Sequence, residues 1–202
     1  MSNNTDKYEN FKSGYVAIVG APNAGKSTLL NRMLGEKISI TSKKPQTTRN
    51  RILGVMHRPG AQMVFIDTPG IFKAKDTLNL RIVDTALAAI DEADLILFVL
   101  DAAHPDPTSE YFLAKRLQKQ ERPVIVALNK IDQVKKTVLL AAIQKWSTEY
   151  YFEVIIPISA TEGTQIEQLT TAMQNMLPSG PPYFPEDALT DLSERFIAAE
   201  MI

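Results

Sequence analysis

The sequence has no cysteine. That excludes a disulfide framework, a thiolate zinc site and a cysteine nucleophile, and it fits a reducing compartment. It also lacks a long apolar run. Its apolar runs, such as Leu95–Leu100 and Val124–Leu128, are strand-sized and far short of the ~20 residues of a membrane span. Neither sign of charge dominates: 22 Lys and Arg against 23 Asp and Glu leave a net charge of −1. Bulk basicity therefore advertises no nucleic acid, and an RNA role would need a local patch or a further part of the protein. Residues 1–12 carry neither the apolar stretch of a signal peptide nor an Arg-rich amphipathic pattern, so they read as a flexible start. No internal repeat and no low-complexity tract stands out. What is present is a 202-residue chain, 45% hydrophobic, long enough for one full domain with a sizeable core.

Strand-like and helix-like segments alternate along it. Tyr15–Val19, Leu95–Leu100, Val124–Leu128 and Val154–Ile158 read as buried strands. Ile52–Met56 and Met63–Ile66, with Pro59-Gly60 between them, read as a hairpin. Lys26–Leu34, Leu80–Ile90, Ser109–Gln118, Val138–Trp146 and Ile166–Leu177 have helical spacing. This alternation predicts an α/β fold: a six-stranded, mostly parallel sheet with one antiparallel strand and helices on both faces. Ligands bind such sheets outside the carboxyl ends of the strands. A composition break at Pro178-Ser179-Gly180-Pro181-Pro182 predicts a boundary. The chain divides into a domain at 13–178, a linker at 179–185, and a segment at 186–202 in which Leu189, Leu192, Phe196 and Ile197 share a helix face.

The chemistry-bearing residues follow the strands. Gly20-Ala21-Pro22-Asn23-Ala24-Gly25-Lys26-Ser27, with Thr28 after it, is a P-loop between a strand and a helix. Its N–H groups and the helix N-terminus form an anion nest. Lys26 is placed to bridge β- and γ-phosphates, and Ser27 to offer a hydroxyl to Mg²⁺. Asp67-Thr68-Pro69-Gly70 would give a carboxylate to that ion through water and a glycine N–H to the γ-phosphate. Asn129-Lys130-Ile131-Asp132 selects the base. An ionised Asp132 only accepts, and guanine presents N1–H and N2–H₂ donors where adenine presents an acceptor. Lys130 suits the face of the base, and Asn129 suits a tie between base loop and P-loop. In Ser159-Ala160-Thr161, an Ala160 N–H is placed to donate to guanine O6. GTP and GDP are thus the expected ligands.

Residues 38–51, with Pro45-Gln46-Thr47-Thr48-Arg49, read as a switch segment in which Thr48 gives a second oxygen to Mg²⁺. Lys26, Thr48 and Gly70 are the candidate catalytic set, acting by position and charge. Ile71 follows Gly70 and cannot orient a water, so intrinsic turnover should be slow. Two readings stay open: a slow GTPase, and a nucleotide-gated binding module with negligible hydrolysis. An ATP-using protein is opposed by Asp132. Lys43, Lys44, Arg49 and Arg51 read as a solvated face, His57 and His104 as surface histidines, Asp101 as a local cap, and Trp146 as core.

These motifs, with Lys37-Ile38-Ser39-Ile40-Thr41-Ser42, Pro157-Ile158-Ser159-Ala160 and Phe184-Pro185-Glu186-Asp187 followed by Thr190-Asp191, make the chain resemble the Era family. These are bacterial Ras-like GTPases of the TrmE–Era branch that pair a G domain with a C-terminal KH domain. The resemblance implies an apolar residue where Ras has its glutamine, which Ile71 matches. It implies K⁺ as an activating ion near Asn23 and Thr47, and Mg²⁺ on Ser27, Thr48 and Asp67. It further implies a role in small-subunit assembly and processing of the 16S rRNA 3′ end, with the rRNA and the 30S subunit as partners. A cytoplasmic monomer with peripheral contact at the inner membrane surface is expected. A KH domain clamps nucleic acid with a Gly-x-x-Gly loop, yet no two of the 9 glycines are three apart. Residues 186–202 are therefore expected to be only the start of a KH-type domain cut short.

Overall fold

The computed structural model describes residues 10–36, 52–68, 88–186 and Ala188. Six strands form one sheet: β1 (Lys12–Gly20), β2 (Ile52–Arg58), β3 (Ala61–Asp67), β4 (Leu95–Asp101), β5 (Val124–Asn129) and β6 (Val154–Pro157). Their order is β2-β3-β1-β4-β5-β6. All neighbours are parallel except β2 and β3, whose antiparallel register runs from Ile52 opposite Asp67 to Arg58 opposite Ala61. The expected α/β architecture with one antiparallel strand is what the chain adopts. The β2–β3 turn is Pro59-Gly60, and Gly60 has φ 71°, a conformation that favours glycine.

Four helices are described from end to end: α1 (Lys26–Leu34), α2 (Pro107–Leu117), α3 (Lys136–Glu149) and α4 (Ile166–Met176). Residues 88–92 are also helical. They close the helix expected at Leu80–Ile90, whose residues 80–87 lie outside the described residues. The α2 helix begins two residues before the expected Ser109 because Pro107 fits the first turn and Asp106 caps it, accepting from Ser109 N–H at 3.1 Å.

Strand residues alternate between two cores, one on each face of the sheet. Ala17, Val19, Ile96, Phe98, Leu100, Val126 and Leu128 face α2 and α3, meeting Leu113, Ala114 and Trp146. Val16, Ile18, Leu95, Leu97, Val99, Ile125 and Ala127 face α1 and α4, meeting Leu29, Leu30, Leu169 and Met173. This two-sided burial explains why the strands read as continuous apolar runs. Each buried Val, Leu, Ile, Phe or Met among them contributes about 1.5–3 kcal/mol. The polar ends of β1, β3 and β5 are thereby held at one rim of the sheet, where the candidate site lies.

Candidate nucleotide-binding site

Three loops at that rim lock together through buried polar groups. The P-loop leaves β1 at Gly20, where a Cβ would stand 2.3 Å from the Val99 carbonyl oxygen. Asn23 turns the chain with φ 62°, and Gly25 does so with φ 98°. A side chain at Gly25 would meet Asn129 Nδ2 at 2.3 Å, so the glycine makes room for the asparagine. Asn129 is buried. Its Nδ2 donates to Ala24 O at 2.9 Å, and its Oδ1 accepts from Ala160 N–H at 3.0 Å. One amide thus ties P-loop, β5 loop and β6 loop, as the sequence suggested for this residue. The Ala160 N–H expected to face guanine O6 is directed to that amide oxygen instead.

Lys26 is buried at the start of α1. Its Nζ donates to Gly20 O at 3.2 Å and Ala21 O at 3.0 Å. Burial lowers it from 10.5 to about 8, while the Asp67 carboxylate pulls the other way. Ser27 Oγ donates to Asp67 Oδ2 at 3.0 Å, bringing together two hard oxygen ligands of the kind Mg²⁺ takes. Thr68 Oγ1 donates to Ile18 O at 2.7 Å and pins the end of β3 beside the P-loop.

Lys130 has φ 65°, which swings its side chain back over the P-loop. Nζ donates to Asn23 O at 2.8 Å and pairs with Asp101 at 2.5 Å. Asp101 is a local cap, as expected, accepting from Ala103 and His104 N–H at 2.9 Å each. It is also the anion that holds Lys130, a role the sequence reading missed. The signal is its position: Asp101 is the strand partner of Asn129. Asp132 is exposed, and a hydrogen bond from the Ser159 side chain holds its carboxyl below the usual range. Ser159 Oγ also meets Thr161 Oγ1 at 3.1 Å and accepts from Glu162 N–H at 3.1 Å. Arg32 was not anticipated either. From α1 it donates to Ala160 O at 3.0 Å and to Thr161 O. A cleft of about 470 Å³ lies there, lined by residues that include Thr28, Arg32, Ala160 and Thr161.

The structure thus brings together residues 20–28, Asp67, Asn129, Lys130, Asp132, Ser159 and Ala160. Thr47, Thr48, Gly70 and Ile71 lie outside the described residues, as do Lys43, Lys44, Arg49 and Arg51. A second expectation, beside that for the Ala160 N–H, needs correction. His57 is not a plain surface histidine: it is half-buried and its Nε2 meets Ala188 O at 2.8 Å. His104 is exposed and Trp146 buried, as expected.

A sequence profile of the 50S ribosome-binding GTPase family matches residues 15–130. The chain belongs to this family, and its G domain is of the Era type. The GTPase Era of Geotalea uraniireducens is 53% identical over 95% of the chain and 65% of its own length. A crystal structure of Era with MgGDPNP and nucleotides 1506–1542 of 16S ribosomal RNA superimposes with TM-score 0.88. It is 45% identical over 95% of this chain and 65% of that one. A variant of Aquifex aeolicus Era bound to GDP·AlF4⁻ gives TM-score 0.87 at the same identity and coverage. The chain therefore spans 65% of the length of these Era proteins, slightly less than two thirds.

Proposed function

We propose that this chain binds GTP and GDP and hydrolyses GTP slowly, as the G domain of an Era-type switch. The observation that carries the reading is the three-loop lock, in which the buried Asn129 amide bonds Ala24 and Ala160. It joins a phosphate-binding loop to a base-reading loop whose Asp132 suits guanine alone among the common bases. Gly20, Ala21, Pro22, Asn23, Ala24, Gly25 and Thr28 line the phosphates, with Lys26 as the point charge. Asn129, Lys130, Asp132, Ser159 and Ala160 serve the base. Ala160 N–H would then share its hydrogen between Asn129 Oδ1 and guanine O6.

Mg²⁺ would be held by Ser27, Asp67 and Thr48, and it supplies charge neutralisation on the phosphates. The donor pair Ser27 and Asp67 fits such an ion. Gly70 would take the γ-phosphate, with Lys26 and Thr48 completing the catalytic set. Ile71 leaves water unoriented, so we assign an activating role to K⁺ near Asn23 and Thr47. The domain would occupy residues 13–178, with 179–185 joining it to the start of a KH-type domain at 186–202. The Era structure bound to 16S rRNA supports the small-subunit rRNA and the 30S particle as partners of an Era-type protein. A cytoplasmic monomer touching the inner membrane surface only peripherally is part of the same reading.

The test is GTP turnover with Mg²⁺ in potassium and in sodium at equal ionic strength. Turnover that falls in sodium supports the enzyme. Bound GTP with no turnover in either salt would leave a nucleotide-gated binding module.

A further inference from the structure

At the rim opposite the nucleotide loops, three polar side chains stand in one row across three strands. Ser13 of β1 is the register partner of Gln62 of β3, and Gln62 is the register partner of His57 of β2. Ser13 and Gln62 are 2% and 1% exposed, which polar side chains tolerate only when fully bonded. Their partners lie in one short stretch of main chain after α4. Ser13 Oγ donates to Pro181 O at 2.7 Å. Gln62 Oε1 accepts from Tyr183 N–H at 2.7 Å and Phe184 N–H at 3.0 Å. Gln62 Nε2 donates to Phe184 O at 2.8 Å and to His57 Nδ1 at 3.4 Å. With Nδ1 accepting, the imidazole proton sits on Nε2, which donates to Ala188 O at 2.8 Å. The Gln62 amide has used both donors and both acceptor positions.

We infer that Ser13, Gln62 and His57 form a docking track for peptide main chain, occupied by residues 181–186 and Ala188, which fixes where the chain leaves the domain. Every strap atom the row touches is a main-chain atom. The proline pattern matches. Pro178, Pro181, Pro182 and Pro185 fall where no N–H is used. The N–H groups of Tyr183 and Phe184 bond Gln62, that of Gly180 bonds Phe11 O at 2.9 Å, and that of Ala188 closes a turn onto Pro185 O at 3.1 Å. The prolines stiffen the free segment and so lower the entropy lost on docking. The strap begins beside β1, where Ser13 N–H donates to Pro178 O at 3.1 Å. It crosses β3 and reaches β2, the edge strand, so the exit lies at one edge of the sheet. The Tyr183 ring rests on Tyr15, with centroids 4.9 Å apart. In relatives that continue past this point, the same row would set the direction of the next segment.

The test is amide hydrogen exchange of the full chain, residue by residue. Gln62→Leu should speed exchange at Tyr183 and Phe184 by roughly tenfold or more, while amides of β4 and β5 and the affinity for GDP stay as they are. Phe184→Ala should leave those two strap protections nearly intact, because its side chain is not what the row reads. If Gln62→Leu does not fold, Tyr183→Pro deletes an N–H that Gln62 accepts without altering the sheet, and Phe184 protection should fall in the same way. Unchanged strap exchange in Gln62→Leu overturns the inference. So does Phe184→Ala freeing the strap as much as Gln62→Leu, since side-chain packing would then be the fastening.

Discussion

Nucleotide binding should take up a proton. Lys26 is buried against two carbonyls at the start of α1, and this burial brings it down to about 8. Phosphate oxygens around Nζ favour the ammonium and push it back up. The bound form therefore stays charged at pH values where the free form has begun to lose its proton. The sign follows: affinity is full well below pH 8 and falls as pH rises through it. With a free-state value near 8, about nine tenths of the lysines are charged at pH 7 and about a quarter at pH 8.5. GDP affinity should thus drop about fourfold over that interval, or ~0.8 kcal/mol. At pH 8, binding should absorb roughly half a proton per nucleotide. Calorimetric titration at pH 8 in buffers of different ionisation enthalpy measures that number directly. Keeping below pH 8.5 avoids ionising guanine N1. No proton uptake at pH 8, with affinity flat from pH 7 to 8.5, would refute the account of Lys26 as a desolvated cation relieved by phosphate.

Asn129→Ala removes the amide that joins Ala24 O to Ala160 N–H, and should cost about 2–4 kcal/mol by urea denaturation, with weaker GDP binding as well. Unchanged values in both would mean that the three loops stand without it. Asp132→Asn should weaken GTP roughly a hundredfold or more and favour xanthine nucleotides, because the amide now donates where guanine donates. Competition binding measures the switch. Glu110 on α2 is buried and accepts from Asp106 N–H at 3.2 Å, and burial pushes it up to about 7. A raised carboxyl favours the protonated folded state, so its contribution is present below about pH 4.5 and is lost as pH rises through 7. Glu110→Gln should therefore stabilise the protein at pH 8, on the order of 3 kcal/mol at most, and far less at pH 4.5. Denaturation midpoints at the two pH values check this.

Much of this was legible in the sequence because the signals were local. A strand buried on both faces has to be apolar throughout, so Leu95–Leu100 and Val124–Leu128 declared themselves. The P-loop and the Asn129–Asp132 turn carry their chemistry in consecutive residues. The tie from Asn129 to the P-loop is legible too, since a short amide after a strand has few places to reach. What escaped were ties between residues remote in the chain. Arg32 meets Ala160 across 128 positions, and nothing in the local pattern of α1 marks it. The second role of Asp101 depends on strand register, which the sequence states only once the order of β4 and β5 is known. His57 read as a surface residue because its environment is built from Gln62 and Ala188. The start of α2 moved by two residues because the Asp106 cap outweighed the apolar stripe.

Guanine-nucleotide selectivity in this chain requires the pairing of a phosphate loop with a guanine-reading loop. Displacement of a fluorescent GDP analogue from this chain by GTP and by ATP, with Mg²⁺ at pH 7, tests it most directly. Displacement by GTP at concentrations roughly a thousandfold below those needed for ATP is the predicted result. Equal displacement by the two nucleotides would contradict it, leaving a P-loop without a base-selective partner.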